Sequence, residues 1–251
     1  MITFLENIAD RLLQKFPHNM EDVAIVLPSK RAVVFFKYYL SKKIQQPIFL
    51  PSFFSIEEFI EDLSGFQVLD NINLQFRLYK TYLRYPLKKQ DTFDEFLKWS
   101  NILLHDFNEI DRNLVDAASI YTNLSKVKEL EGWSVKDWSF SENNLTAMQS
   151  DYLSFFEEML NWYNDFTQSL LEEKLAYQGL AYKQASRNIA NKEVKWKQIW
   201  FVGLNALTKS EQSIIDYLRQ ENIARVFWDA DKFYYDNPLH EAGSFLRDQR
   251  D

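Results

Sequence analysis

Four short apolar runs limit the architectures open to this chain: Val23 to Leu27, Ile48 to Phe53, Gln198 to Val202 and Arg225 to Trp228. Each is bounded by turn formers or helix signals, as strands are. One helical pattern separates the first two, and another separates the last two, which is the βαβ rhythm of a parallel sheet. From Gln67 to Ala190 almost nothing alternates with period two. "TFDEFLKWSNILLHDF" sets Phe93, Phe96, Leu97, Ile102, Leu103, Leu104 and Phe107 at largely helical spacings behind a Thr92/Glu95 capping box. "MQSDYLSFFEEMLNWYNDFTQSLLEEKL" does the same with Met148, Tyr152, Phe155, Phe156, Met159, Tyr163, Phe166 and Leu170, and no Gly or Pro interrupts Ser134 to Gln178. The expected class is α/β: one parallel-sheet domain interrupted by a large all-helical insertion. The spacing assigns most of the aromatic side chains to packed cores.

Composition narrows the function. A chain of 251 residues, 46% hydrophobic, can bury a full core, and its net charge of −7 lacks the overall basic footprint of a dedicated DNA-binding module. Any nucleic-acid site must then be a local basic patch. The absence of cysteine removes disulfides, thiolate zinc sites and cysteine nucleophiles, and fits a cytoplasmic location. "MITFLENIADRLLQKF" is an amphipathic helix without the basic and apolar regions of a signal peptide. No run approaches the roughly 18 apolar residues that a membrane span needs.

The turns after the strands are the candidate sites. In "VAIVLPSKRAVVFFKYYL" a buried strand meets Ser29, Lys30 and Arg31 at the start of a helix patterned by Val33, Val34 and Tyr38. Ligands of open α/β sheets sit outside the strands' carboxyl ends, and a helix start offers free N–H groups and a positive dipole end to an anion. "PIFLPSFFSIEEFI" carries its strand into a turn at Ser52, Phe53, Phe54 and Ser55, where Ser55 and Glu58 make a capping box; one of the two phenylalanines is expected to be partly exposed. "KQIWFVGLNALTKSEQSIIDYL" follows its strand with Gly203 and a Thr208/Glu211 box. On motif evidence alone, ordinary βα loops are the simpler account of these turns. The five glycines, Gly65, Gly132, Gly179, Gly203 and Gly243, lie at least 24 positions apart, so neither a Walker A loop nor a dinucleotide fingerprint exists.

Taken in order, "VLPSKRAVVFF", "FLPSFFSIEEFI", "LLHDFNEIDRNLVD", "IWFVGLNALTKSEQSIIDYL", "VFWDADKFYYDNP" and "EAGSFLR" resemble the amino-terminal part of AddB-like proteins, of the RecB/AddB group of helicase-nucleases often labelled PD-(D/E)XK nuclease family. The likeness spans nearly the whole chain as short ordered blocks. It implies a RecA-like (P-loop NTPase-like) domain in two parts, residues 1–66 and 191–251, around a helical insertion at 67–190. It implies also that the chain, ending inside the helical pattern "GSFLRDQRD", is a fragment of a longer protein carrying a second helicase half and a nuclease domain, possessing PD-(D/E)XK exonuclease chemistry there. The resemblance makes Ser29, Lys30 and Arg31 a backbone contact to single-stranded or unwinding DNA, with Ser52 to Ser55 as the next contact. The implied partners are an ATP-hydrolysing helicase-nuclease subunit and the remaining domains of the chain itself, acting in double-strand break processing and recombinational repair.

Departures from that family matter equally. The glycine-rich lysine loop is missing, and the Walker B position is Phe201-Val202-Gly203-Leu204, without the carboxylates that organise magnesium. The expected part is a degenerate scaffold and DNA guide, with neither catalysis nor a cofactor in this fragment; the alternative is a protein-interaction scaffold that never touches DNA. Asp229 and Asp231, with Asp236, are weak metal candidates, since acids after a strand serve more often as turn formers. Glu193-Val194-Lys195 matches half of a nuclease signature but has no aspartate between Asp165 and Glu193. His18, His105 and His240 are scattered, without ligand spacing.

Overall fold

Every residue of β1 (Val23–Leu27) is buried, as a strand covered on both faces must be. In the computed structural model, which describes residues 2–85, 90–122 and 147–248, β1 pairs in parallel with β2 (Ser52–Ser55) on one side and β5 (Gln198–Val202) on the other. β6 (Ala224–Phe227) adds outside β5, giving the order β2-β1-β5-β6. Ile25 stands opposite Phe53 and Trp200, and Val26 opposite Phe54 and Phe201. Strands far apart in sequence are thus neighbours. Just before them, Asp22 and Lys197, 175 positions apart, form an ion pair at 2.6 Å.

The chain divides into two compact units, Met1–Ser64 with Gln184–Asp251, and Gly65–Lys183. In the first, α1 (Phe4–Lys15) and α2 (Lys30–Lys43) bury Ile8, Leu12, Val33, Phe36 and Leu40 with Val23, Ile25, Leu27, Trp200 and Val202 of the sheet. Alternate residues serve the other face. Phe201 meets Phe59 of α3 (Ile56–Ser64) at 5.5 Å between ring centroids, and Phe59 meets Phe54 and Trp196 in turn. Crossovers of one hand that run in opposite directions put their helices on opposite faces. Accordingly, the buried Ile214, Ile215 and Leu218 of α8 (Lys209–Gln220) stay outside the α1–α2 cluster.

Two strands differ in their bounds from the sequence expectation. β2 begins at Ser52 rather than Ile48, because Pro47 and Pro51 cannot donate to a ladder; only after Pro51 is an uninterrupted set of N–H groups available. β6 begins one residue early, at Ala224.

The second unit is built on α4 (Asn71–Tyr82), α5 (Phe93–Arg112), α6 (Ala147–Glu172) and the start of α7 (Gln178–Asn188). It is not all helical. β3 (Gln67–Val68) and β4 (Leu175–Ala176) form a two-residue parallel ladder, too short for period two to register in the sequence. Lys174, in the left-handed region at φ 56°, turns the chain from α6 into β4. Aromatic rings of Tyr79, Tyr82, Phe96, Trp99, Phe155 and Trp162 fill much of this core. The expected helical stretch from Ser134 to Thr146 lies outside the described residues, as do the side chains of Met148, Tyr152 and Phe156.

Candidate nucleic-acid interface

In the order β2-β1-β5-β6 the chain leaves β1 toward one edge and β5 toward the other. The carboxyl ends of β1 and β5 are therefore the topological switch point, where open parallel sheets take ligands. Pro28 and Ser29 follow β1 there, and Gly203, Leu204 and Asn205 follow β5. Gly203 holds φ at 68° and donates its N–H to the Phe227 carbonyl at 2.8 Å; a side chain at this φ would be strained, and a Cβ would stand 3.2 Å from the Phe4 ring. With one glycine between them, these two turns lack the run of backbone N–H groups that wraps a polyphosphate.

Ser29 is the N-cap of α2: its backbone is extended and its Oγ accepts from the Ala32 N–H at 3.2 Å. The first turn of α2 carries no acidic residue, so the dipole end and the Lys30 and Arg31 side chains act in the same sense toward an anion. Their environments differ. Lys30 Nζ lies 3.0 Å from Glu58 Oε1, and the hydrogen bond and charge of Glu58 hold its pKa above the ordinary lysine value. Glu58 accepts from the N–H and the hydroxyl of Ser55 at 3.0 and 3.1 Å, and its own N–H donates to Ser55 Oγ at 3.3 Å. The Ser55 N–H first, then Lys30, keep the Glu58 carboxyl below the usual range. Arg31 is exposed, with its guanidinium carbon 5.7 Å from the centroid of the Phe35 ring.

Ser52, Phe53, Phe54 and Ser55 do not form a turn: they are strand β2 itself. Phe53 and Phe54 are both half-buried and face opposite sides of the sheet. Phe53 packs on Phe36 at 6.0 Å with the Lys37 ammonium 4.9 Å from its centroid, and Phe54 packs on Trp196 at 5.2 Å. The Ser55 hydroxyl is buried and engaged in the α3 capping box.

A feature the strand-end reasoning passed over runs along α2. Between Asp22 and Glu57 the sequence contains Lys30, Arg31, Lys37, Lys42 and Lys43 and no acidic residue. Val33, Phe36 and Leu40 turn inward, while Val34 and Tyr38, expected within the same apolar pattern, are 65% and 51% exposed, and Phe35 beside them is 45% exposed. Lys43 is drawn to Asp10 of α1 at 2.7 Å. Among the described residues, no carboxylate lies within ion-pair distance of Arg31, Lys37 or Lys42. The signal in the sequence is the acid-free run, together with the i, i+3, i+7 spacing of the buried set, which leaves three apolar residues on the wrong side.

The remaining candidates do not converge. Asp231 caps the short helix α9 (Lys232–Tyr235) by accepting from the Phe233 N–H at 2.8 Å, and among the described residues no group of three or more His, Asp or Glu side chains is arranged to hold a metal. Lys195 pairs with Asp62 at 3.3 Å. His240 stacks edge-on against Tyr234.

In the second unit Asp111 belongs to no motif that the sequence displays. Fully buried, its carboxylate accepts from the Tyr163 hydroxyl at 2.5 Å, from the Tyr177 hydroxyl, and from Lys183 Nζ at 2.7 Å; Lys183 also donates to the Tyr163 oxygen at 2.8 Å. Burial, then the Asp111 charge, push the Tyr177 hydroxyl well above its ordinary pKa, so it remains a donor. This cluster ties α5, α6 and α7 together. No family model matches the chain, and no curated protein matches its sequence.

Proposed function

We propose that the first unit is a degenerate RecA-like (P-loop NTPase-like) domain that guides single-stranded DNA, in a helicase-nuclease of the AddB-like type, and that the second unit is its helical insertion. The observation that carries this reading is the acid-free run from Val23 to Ile56, whose cations are presented by a helix starting at the switch point. A phosphate there would meet the α2 N–H groups and Arg31, whose planar fork can hold two oxygens. Lys30, already compensated by Glu58, contributes less. On this reading the domain hydrolyses nothing: a partner subunit supplies ATP hydrolysis, nuclease chemistry belongs to other domains, and break processing is the cellular task. ATP with magnesium should then leave the melting temperature unchanged.

The test is oligonucleotide affinity as a function of salt. Neutralising one phosphate of a single strand contributes about 0.7 to the slope of log affinity against log salt. Arg31→Ala is expected to lower the slope by about that amount, and Lys30→Ala by less. Equal slopes in wild type and a Lys30→Ala, Arg31→Ala double variant of matched melting temperature would remove this turn from the DNA path. The rival scaffold reading draws on the exposed Ile72, Phe76 and Ile102 of the second unit; a chain that binds no oligonucleotide even at low salt decides for it.

A further inference from the structure

We infer that the outward face of α2 is a base-stacking platform for single-stranded nucleic acid, a step that rests on the DNA-guiding reading and extends it from the helix start to the helix side. The face has the two properties such a surface needs, solvent-exposed rings and unpaired cations beside them. Phe35 and Tyr38 are exposed on α2, about 4.5 Å apart along its axis at 1.5 Å per residue. Each ring has its own cation: the Arg31 guanidinium lies 5.7 Å from the centroid of Phe35, and Lys42 Nζ lies 4.2 Å from that of Tyr38. Val34 widens the apolar surface, and Lys37, its ammonium 4.9 Å from the Phe53 ring centroid of β2, adds a charge at the rim.

Charge decides the occupant. In a chain of net charge −7, an acid-free stretch whose Arg31, Lys37 and Lys42 have no carboxylate within ion-pair distance among the described residues selects a polyanion over a neutral surface. Flat rings set between those cations suit a polyanion that also carries flat faces. An acidic amphipathic helix would share the charge but would need only apolar bulk where the rings stand. That difference between ring and bulk makes the two occupants separable.

The experiment uses the 251-residue chain, a labelled oligothymidylate, and an abasic oligomer of equal length and charge. Wild type is expected to bind the thymidylate about ten-fold more tightly than the abasic strand. A Phe35→Leu, Tyr38→Leu variant keeps apolar bulk and helix propensity at exposed positions; it should lose this preference and bind both strands like the abasic one, with the wild-type salt slope. Lys37→Gln with Lys42→Gln should weaken both strands equally and lower the slope by about 1.4. Retention of the preference in the leucine variant overturns the platform. So does equal binding of both strands by wild type; if Arg31→Ala still lowers the slope, the DNA-guiding reading survives that result. Failure of wild type to bind either strand removes both. Competition by an acidic apolar peptide that is insensitive to the leucine replacements would make the face a protein dock and overturn the inference.

Discussion

The most connected buried polar groups of the two units are completed in different ways. In the sheet unit, Ser55 and Glu211 are buried and serve the helix starts beside them, through capping boxes with Glu58 and Thr208 three positions away. In the helical unit the buried polar centre is long-range: Asp111 binds Tyr163, Tyr177 and Lys183, 52, 66 and 72 positions away. A parallel sheet satisfies its own backbone and leaves only helix ends to be completed locally. Helices brought together from distant segments have no shared ladder, and here one carboxylate fixes how three of them meet. Loss of a cap should therefore be local and cheap, and loss of Asp111 general within its unit.

The largest effect is expected at that carboxylate. Asp111→Ala removes a fully buried carboxylate that accepts from two tyrosine hydroxyls and the half-buried Lys183 ammonium, a change worth about 3–5 kcal/mol. Urea denaturation should show it, and hydrogen exchange should speed in α5, α6 and α7 more than in β1 and β5. A loss below about 1 kcal/mol would mean that apolar packing alone organises these helices. Next is Gly179→Ala. A Cβ there would stand 2.2 Å from the Asn108 carbonyl oxygen, while the Gly179 N–H already donates to Asn108 Oδ1 at 2.7 Å. The α5 and α7 backbones would have to separate, at about 1–3 kcal/mol by thermal denaturation. In the sheet unit, Thr208→Ala removes one capping box and should cost about 1 kcal/mol, with faster exchange confined to the first turn of α8. A larger or more widespread effect would blur the contrast between the units.

The smallest expected effect is on pH. Backbone and side-chain hydrogen bonds lower the carboxyl pKa values of Glu58, Asp70 and Asp116, and the Arg77 hydrogen bond lowers that of Glu173, against ordinary values of 4.5 for glutamate and 3.8 for aspartate. Groups more acidic folded than unfolded stabilise above the unfolded values and lose that contribution as pH falls through the folded ones. Burial shifts Asp106 the other way, so it opposes the trend. The melting temperature should fall from about pH 5 downward. A constant value down to pH 3 would show that these caps and pairs do not persist in solution.

Much of the sheet was legible because β1 and β5 are continuous apolar runs, the mark of strands covered on both faces. β2 was misplaced by four residues because "PIFLP" is apolar enough for a strand, whereas its prolines forbid the ladder. Capping boxes at Ser55, Thr92 and Thr208 are local and were read directly. The pairing of Lys30 with Glu58 was not, since it depends on β1 and β2 being neighbours in register. Nor was the outward turn of Phe35 and Tyr38, because apolar type alone does not say which side of a helix is covered. Asp111 follows Leu103, Leu104, Phe107 and Ile110 on the buried side of α5, but its partners come from segments that only the fold brings near.

The most direct test of the central claim is hydrogen exchange of the whole chain with and without a saturating single-stranded oligonucleotide at low salt. The expected result is slowed exchange from Ser29 through Lys43, centred on the first turn of α2 and abolished in the Lys30→Ala, Arg31→Ala variant, with no change on adding ATP and magnesium. Protection confined to α4 and α5, protection that requires nucleotide, or no protection anywhere would contradict it.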